Sequence, residues 1–166
     1  MTLSHSKDGK ILKKVKDPSL NLIISAKCEV IKSECFYKLK TLITFAFEEN
    51  SNLTKIESWC FFKCTNLTII NLSTCNKLTT IEDYAFHSCY NISKILLPMG
   101  LLKIHNQAFV ENRLVKSITI PVTLKKIGEY AFSGCEKLEE VIFEAGSNLM
   151  VPRWYQYYFV PNSREC

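Results

Sequence analysis

Residues 78–98 read LTTIEDYAFHSCYNISKILLP, and residues 124–143 read LKKIGEYAFSGCEKLEEVIF. Laid over one another, Ile81 falls on Ile127, Ala85-Phe86 on Ala131-Phe132, Cys89 on Cys135 and Ile95 on Val141. The same columns continue on both sides of this pair. A phenylalanine recurs at Phe36, Phe61, Phe86, Phe109 and Phe132, with spacings of 25, 25, 23 and 23 residues. Five residues before each ring stands an aliphatic: Ile31, Ile56, Ile81, Ile104 and Ile127. Directly before the ring is a small residue (Cys35, Cys60, Ala85, Ala108, Ala131), and three after it come Leu39, Cys64, Cys89, Asn112 and Cys135.

A second block follows each ring: LITFAF at 42–47, LTIINL at 67–72, ISKILL at 92–97, VKSITI at 115–120 and LEEVIF at 138–143. Its last three positions alternate inward, outward, inward, which is the period of a strand. Pro98 and Pro121 follow two of the blocks, as suits a strand that stops where an amide donor is missing. The IxxxAF segment is too short for a full helix and predicts one tight helical or 3-10 turn. A single copy cannot bury its apolar side alone, so the copies must stack. The reading is an α/β leucine-rich-repeat solenoid: a right-handed coil with a parallel sheet on the concave face, short helical or 3-10 turns on the convex side, and about five repeats. The rings then form an internal ladder at ~4.8 Å intervals. The domain reading is a basic lead-in or cap at 1–27, five repeats over 28–148, and an aromatic cap or tail at 149–166, with Trp154, Tyr155, Tyr157, Tyr158 and Phe159.

The units IEDYAFHSCYNISKILLP (81–98) and IGEYAFSGCEKLEEVIF (127–143) resemble the BspA-type leucine-rich repeat. The opening SKDGKILKKV (6–15) is similar to the lead-in of such proteins. The resemblance covers roughly 28–148. It departs at Cys35-Phe36 and Cys60-Phe61, where Ala-Phe is usual, and at Asn112, where a cysteine is usual. It implies a surface antigen acting in adhesion, a non-catalytic module that binds a host or matrix protein. The alternatives are an intracellular interaction scaffold using the same face, or a truncated family copy that retains no function.

Composition narrows the choice. Of 166 residues, 47% are hydrophobic and 22% charged, which fits one packed domain rather than a disordered chain. The net charge of +5 is concentrated at the start, where residues 1–40 hold nine lysines against Asp8, Asp17, Glu29 and Glu34. Those lysines lack the arginines and interleaved aromatics of a nucleic-acid reader, so no nucleic-acid partner is expected. The start MTLSHSKDGKILKKVKD has no apolar run for a signal-peptide core, and nothing approaches the ~20 apolar residues of a membrane span. On that reading the location is cytoplasmic; by resemblance it is the cell surface.

Eight cysteines (Cys28, Cys35, Cys60, Cys64, Cys75, Cys89, Cys135, Cys166) would suggest a disulfide framework in a secreted chain. Most sit in repeat columns instead and read as small buried groups with free thiols. Cys60 and Cys64 lack the partner pair of a zinc site, and no cofactor is implied. His5, His87 and His105 show no catalytic spacing, and the repeat puts the last two near exposed turns. The sequons at Asn52, Asn66, Asn71 and Asn91 matter only in a secretory lumen.

The candidate binding residues are the outward positions of the blocks on the concave face. They are Thr44, Ile69, Lys94, Ser117 and Glu140 in one column, and Asn71, Leu96, Thr119 and Ile142 in the other, which begins at Ala46. Apolar groups pointing to solvent there are not explained by a core. Five strands project a face of roughly 330 Å², well below the ~800 Å² per partner of a standard complex.

Overall fold

A computed structural model describes residues 2–16, 21–147 and 149; the expected aromatic cap lies outside the described residues, apart from Leu149. The chain opens with β1 (Thr2–His5) and β2 (Ile11–Lys16), an antiparallel pair. Each later coil contributes two strands. The longer ones fall in the blocks: β3 (Asn21–Ile24), β5 (Thr44–Phe47), β7 (Ile69–Asn71), β9 (Lys94–Leu96), β11 (Ser117–Ile120) and β13 (Glu140–Phe143). The shorter ones hold the isoleucine column: β4 (Val30–Ile31), β6 (Lys55–Ile56), β8 (Thr80–Ile81), β10 (Lys103–Ile104) and β12 (Lys126–Ile127).

These two-residue strands build the longest sheet, ordered β1-β2-β4-β6-β8-β10-β12. Parallel register places Leu12, Ile31, Ile56, Ile81, Ile104 and Ile127 in one line. The block strands pair in parallel as β3-β5, β7-β9 and β11-β13. β3 pairs with β5 from Asn21↔Thr44 to Ile24↔Phe47, so this column starts one coil before the five expected. The architecture is a β-solenoid of about six turns, with strand columns on two sides of one core.

The expected helical or 3-10 turn is not present: no helix occurs among the described residues. The reason lies in the backbone. The residues two before and two after each ring have positive φ: Glu34 and Lys38, Trp59 and Lys63, Tyr84 and Ser88, Gln107 and Glu111, Tyr130 and Gly134. A left-handed residue every fourth position breaks a right-handed helix. It also redirects alternate amides to the neighbouring coil. The amides of Phe36, Phe61, Phe86 and Phe109 donate to the carbonyls of Cys60, Ala85, Ala108 and Ala131 at 2.7–2.8 Å. Intervening amides close short turns in their own coil, as Tyr37 does on Glu34. A helix would return every amide to its own turn and leave the next coil unbonded.

The rings form the predicted ladder. Successive centroids from Phe36 to Phe132 lie 4.3, 4.8, 5.4 and 5.2 Å apart, with planes within 10° of parallel. Phe45 joins from the block side and stacks on Phe61 at 4.8 Å. At the far end of the stack the inward position is open. Ile120 is fully buried, whereas Phe143, its partner in register, is 46% exposed.

Candidate binding face

The strand alternation that hides Phe45, Ile70, Ile95 and Ile118 turns their neighbours outward. Thr44 pairs in register with Asn21, Ile69 with Lys94 and Ser117 with Glu140; beside them run Ile23 with Ala46, Asn71 with Leu96, and Thr119 with Ile142. Thr44 and Leu96 are half-buried, and the other seven expected residues are exposed. Three aliphatics on this face meet solvent: Ile23 at 68%, Ile69 at 38% and Ile142 at 43% exposure. Lys94 and Glu140 make no ion pair among the described residues, while Asn71 Oδ1 accepts from the amide and hydroxyl of Ser73 at 3.2 and 2.7 Å. Asn21 and Ile23 lay outside the sequence-based expectation because NLII at 21–24 carries no ring or AF pair to phase it. Adding this strand brings the projected face to roughly 390 Å².

The interior column holds chemistry of another kind. The Cys64 thiol donates to the Phe36 carbonyl (3.0 Å), Cys89 to Phe61 (3.1 Å) and Cys135 to Phe109 (3.3 Å). Asn112 does the same through Nδ2, to Phe86 at 3.1 Å. The column therefore selects a small side chain with a donor, which both residue types supply. All seven described cysteines are buried and free. Burial pushes the thiols of Cys35, Cys64 and Cys135 up to about 12 and those of Cys60 and Cys89 well above their ordinary value, so thiolate chemistry is suppressed.

The turn side carries a second set of rings that the sequence reading did not separate from the core. Trp59 stacks on Tyr84 at 4.1 Å, and Tyr37, Phe62 and His87 follow one another at 5.2 and 5.1 Å. The columns two before and one after each ring carried this signal. The Trp59–Tyr84 and Tyr37–Phe62 pairs stack face to face, and His87 lies tilted at 44° against Phe62. His87 is thereby half-buried rather than exposed. Its Nδ1 lies 2.7 Å from Ser88 Oγ, which donates to Glu111 Oε2 at 2.9 Å. With the serine hydroxyl donating to the carboxylate, the imidazole Nδ1–H is left to donate to the serine oxygen. A catalytic triad needs the acid on the imidazole and the serine proton aimed at it, so this chain of bonds is a different arrangement. Burial, reinforced by Lys63 and opposed by Glu111, holds the His87 imidazole below its usual range. Among the described residues no group of three or more metal-ligating side chains converges. Among them, too, no helix is long and apolar enough to cross a membrane.

Stacked two-strand coils around a ring ladder, with a varied face on the block strands, define a leucine-rich-repeat solenoid. Residues 17–139 match the BspA type leucine rich repeat region in six copies, and the chain belongs to that family. Among solved structures it is similar to the leucine-rich repeat protein of T. pallidum, at 19% identity and a TM-score of 0.72 over 86% of this chain and 80% of that one. A leucine-rich repeat protein from Bacteroides ovatus aligns at 27% identity and a TM-score of 0.70, over 85% of this chain and 39% of that one. The pneumococcal vaccine antigen PcpA aligns at 24% identity and a TM-score of 0.68, over 79% of this chain and 32% of that one. The chain thus spans well under half the length of the latter two. No curated protein sequence matches it.

Proposed function

We propose that this chain is a non-catalytic protein-binding module of the surface-antigen and adhesion type, taking a host or matrix protein on the outer face of its block strands. The observation that carries the reading is the contrast in that face. Inward positions repeat from coil to coil, while outward ones change at every coil and leave Ile23, Ile69 and Ile142 in water beside Lys94 and Glu140. Apolar groups set among unpaired charges are what an interface needs at its centre and rim. The relative described as a vaccine antigen is in keeping with an exposed location. At roughly 390 Å² of projected face the contact is weak unless repeated copies or flanking segments add to it.

The test is an antibody against the recombinant chain applied to intact, unpermeabilised source cells, with protease treatment as control, followed by binding to immobilised matrix proteins. Protease-sensitive surface signal, and matrix binding abolished by Ile69→Asp with Ile142→Asp at unchanged melting temperature, are expected. Signal only after permeabilisation overturns the extracellular reading. It would move the search to an intracellular scaffold, a reading favoured by the seven unpaired thiols, which a reducing compartment preserves.

A further inference from the structure

The seven-stranded sheet carries its own charge pattern on a different side of the coil from the block strands. Lys10 pairs with Glu29 at 2.8 Å, Lys32 with Glu57 at 2.8 Å and Lys55 with Glu82 at 2.6 Å. In each pair the lysine of one coil is met by a carboxylate on the next. The pairs stand at different register positions: Lys10 faces Glu29 and Lys32 faces Glu57 directly, whereas Lys55 reaches two residues on, to Glu82. In register, Lys103 lies two coils beyond Lys55 and directly beside Lys126, and Lys125 precedes the latter. The position that would answer Lys103, as Glu82 answers Lys55, is Gly128.

The missing acid cannot be supplied by this chain at that point. A Cβ at Gly128 would lie 2.4 Å from the Asn106 nitrogen and the His105 carbonyl carbon, so the backbone packs too closely to admit a glutamate. Lys103, Lys125 and Lys126 are all exposed, and none makes an ion pair among the described residues; Glu129, one residue beyond Gly128, pairs with none of them. Two of these like charges sit on in-register strands ~4.8 Å apart, an arrangement that repels without a counter-charge.

We propose that Lys103, Lys125 and Lys126 are a docking surface for an acidic polypeptide segment, whose carboxylates supply the counter-charge these lysines lack among the described residues. On earlier coils of the same side, Lys10, Lys32 and Lys55 each take a glutamate carboxylate within 2.8 Å. The surface is separate from the block-strand face and stands or falls independently of it.

The probe is a fluorescent peptide of ten glutamates, with its glutamine counterpart as control, read by anisotropy against the full chain at low and physiological salt. The expected result is binding of the glutamate peptide alone, weakened by salt. The triple variant Lys103→Gln/Lys125→Gln/Lys126→Gln should lose about tenfold in affinity, three surface pairs at modest strength each. Lys116→Gln/Lys137→Gln, exposed lysines elsewhere, should leave it within about twofold. Equal loss in both variants would reduce the effect to net charge and overturn the proposal. So would an absence of binding, or a sulfated polysaccharide or RNA that binds more tightly through the same three lysines. Ile69→Asp/Ile142→Asp should bind the peptide unchanged, which separates this surface from the block-strand face.

Discussion

The ring column from Phe36 to Phe132 and the outer column from Ile23 to Ile142 run through the same stack of coils, one enclosed and one in water. In the first, each side chain has the next copy of itself as its neighbour, at 4.3–5.4 Å, so any departure is felt by two coils. In the second, an isoleucine, an alanine, an asparagine, a leucine, a threonine and an isoleucine follow one another, in register within each pair of block strands: Ile23 with Ala46, Asn71 with Leu96 and Thr119 with Ile142. Stacking geometry therefore dictates the interior, whereas the exterior is free to vary from coil to coil.

The sharpest way to break this comparison is Phe86→Ala. A buried ring lost between two stacked neighbours should cost about 3–5 kcal/mol in chemical denaturation, a large part of a domain's stability. A midpoint within experimental error of wild type would remove the ladder as the organising element. Gly128→Ala comes next. Its Cβ would meet backbone at 2.4 Å, so a loss of roughly 1–3 kcal/mol is expected at this buried position, although its near neighbours Lys126 and Glu129 are exposed.

A smaller effect of opposite sign is expected at Asn112. Its Nδ2 serves the carbonyls of Phe86 and Phe109, but its Oδ1 is buried with no partner. Cysteine keeps the donor of the column and removes the orphan acceptor, so Asn112→Cys should stabilise by about 1 kcal/mol, read as a rise in melting temperature. Destabilisation would mean that the second amide bond, to Phe109 at 2.7 Å, matters more than the orphan.

His87 gives a pH signature. Because burial depresses its folded pKa, its contribution is present above the unfolded value near ~6.5 and is lost as pH falls from there towards the folded value. The stability gap between wild type and His87→Gln should therefore shrink between pH 8 and pH 5 in paired thermal melts; a constant gap would exclude the titration. The smallest effect belongs to the outer column. Thr119→Ala should stay within about 0.5 kcal/mol of wild type, and a larger loss would show that this face is structural rather than reserved for a partner.

Much of the fold was legible because its rule is repetition. The columns of Ile81, Ala85, Phe86 and Cys89 and the alternation of the blocks state which side chains are inside, and the structure buries them. The turn itself is not legible, because IxxxAF spacing also fits a helix. Only the positive φ at residues such as Tyr84 and Ser88 separates the two, and non-glycine side chains give no warning of it. The first coil was missed because Asn21–Ile24 lacks the ring that marks the others, yet it pairs in full register with Thr44–Phe47.

The sequence by itself determined the period, the inward residues and the outward columns, since burying an apolar stripe requires a fixed spacing along the chain. Tertiary structure alone decided where donors and charges end up. Bonds that cross from coil to coil join residues far apart in the chain, 28 positions for Cys64 on Phe36 and 23 for Ser88 on Glu111, and no local pattern states their direction. The thiol of Cys64 on the Phe36 carbonyl, the carboxylate of Glu82 on Lys55, and the absence of an ion pair at Lys103 among the described residues all follow from how neighbouring coils are stacked.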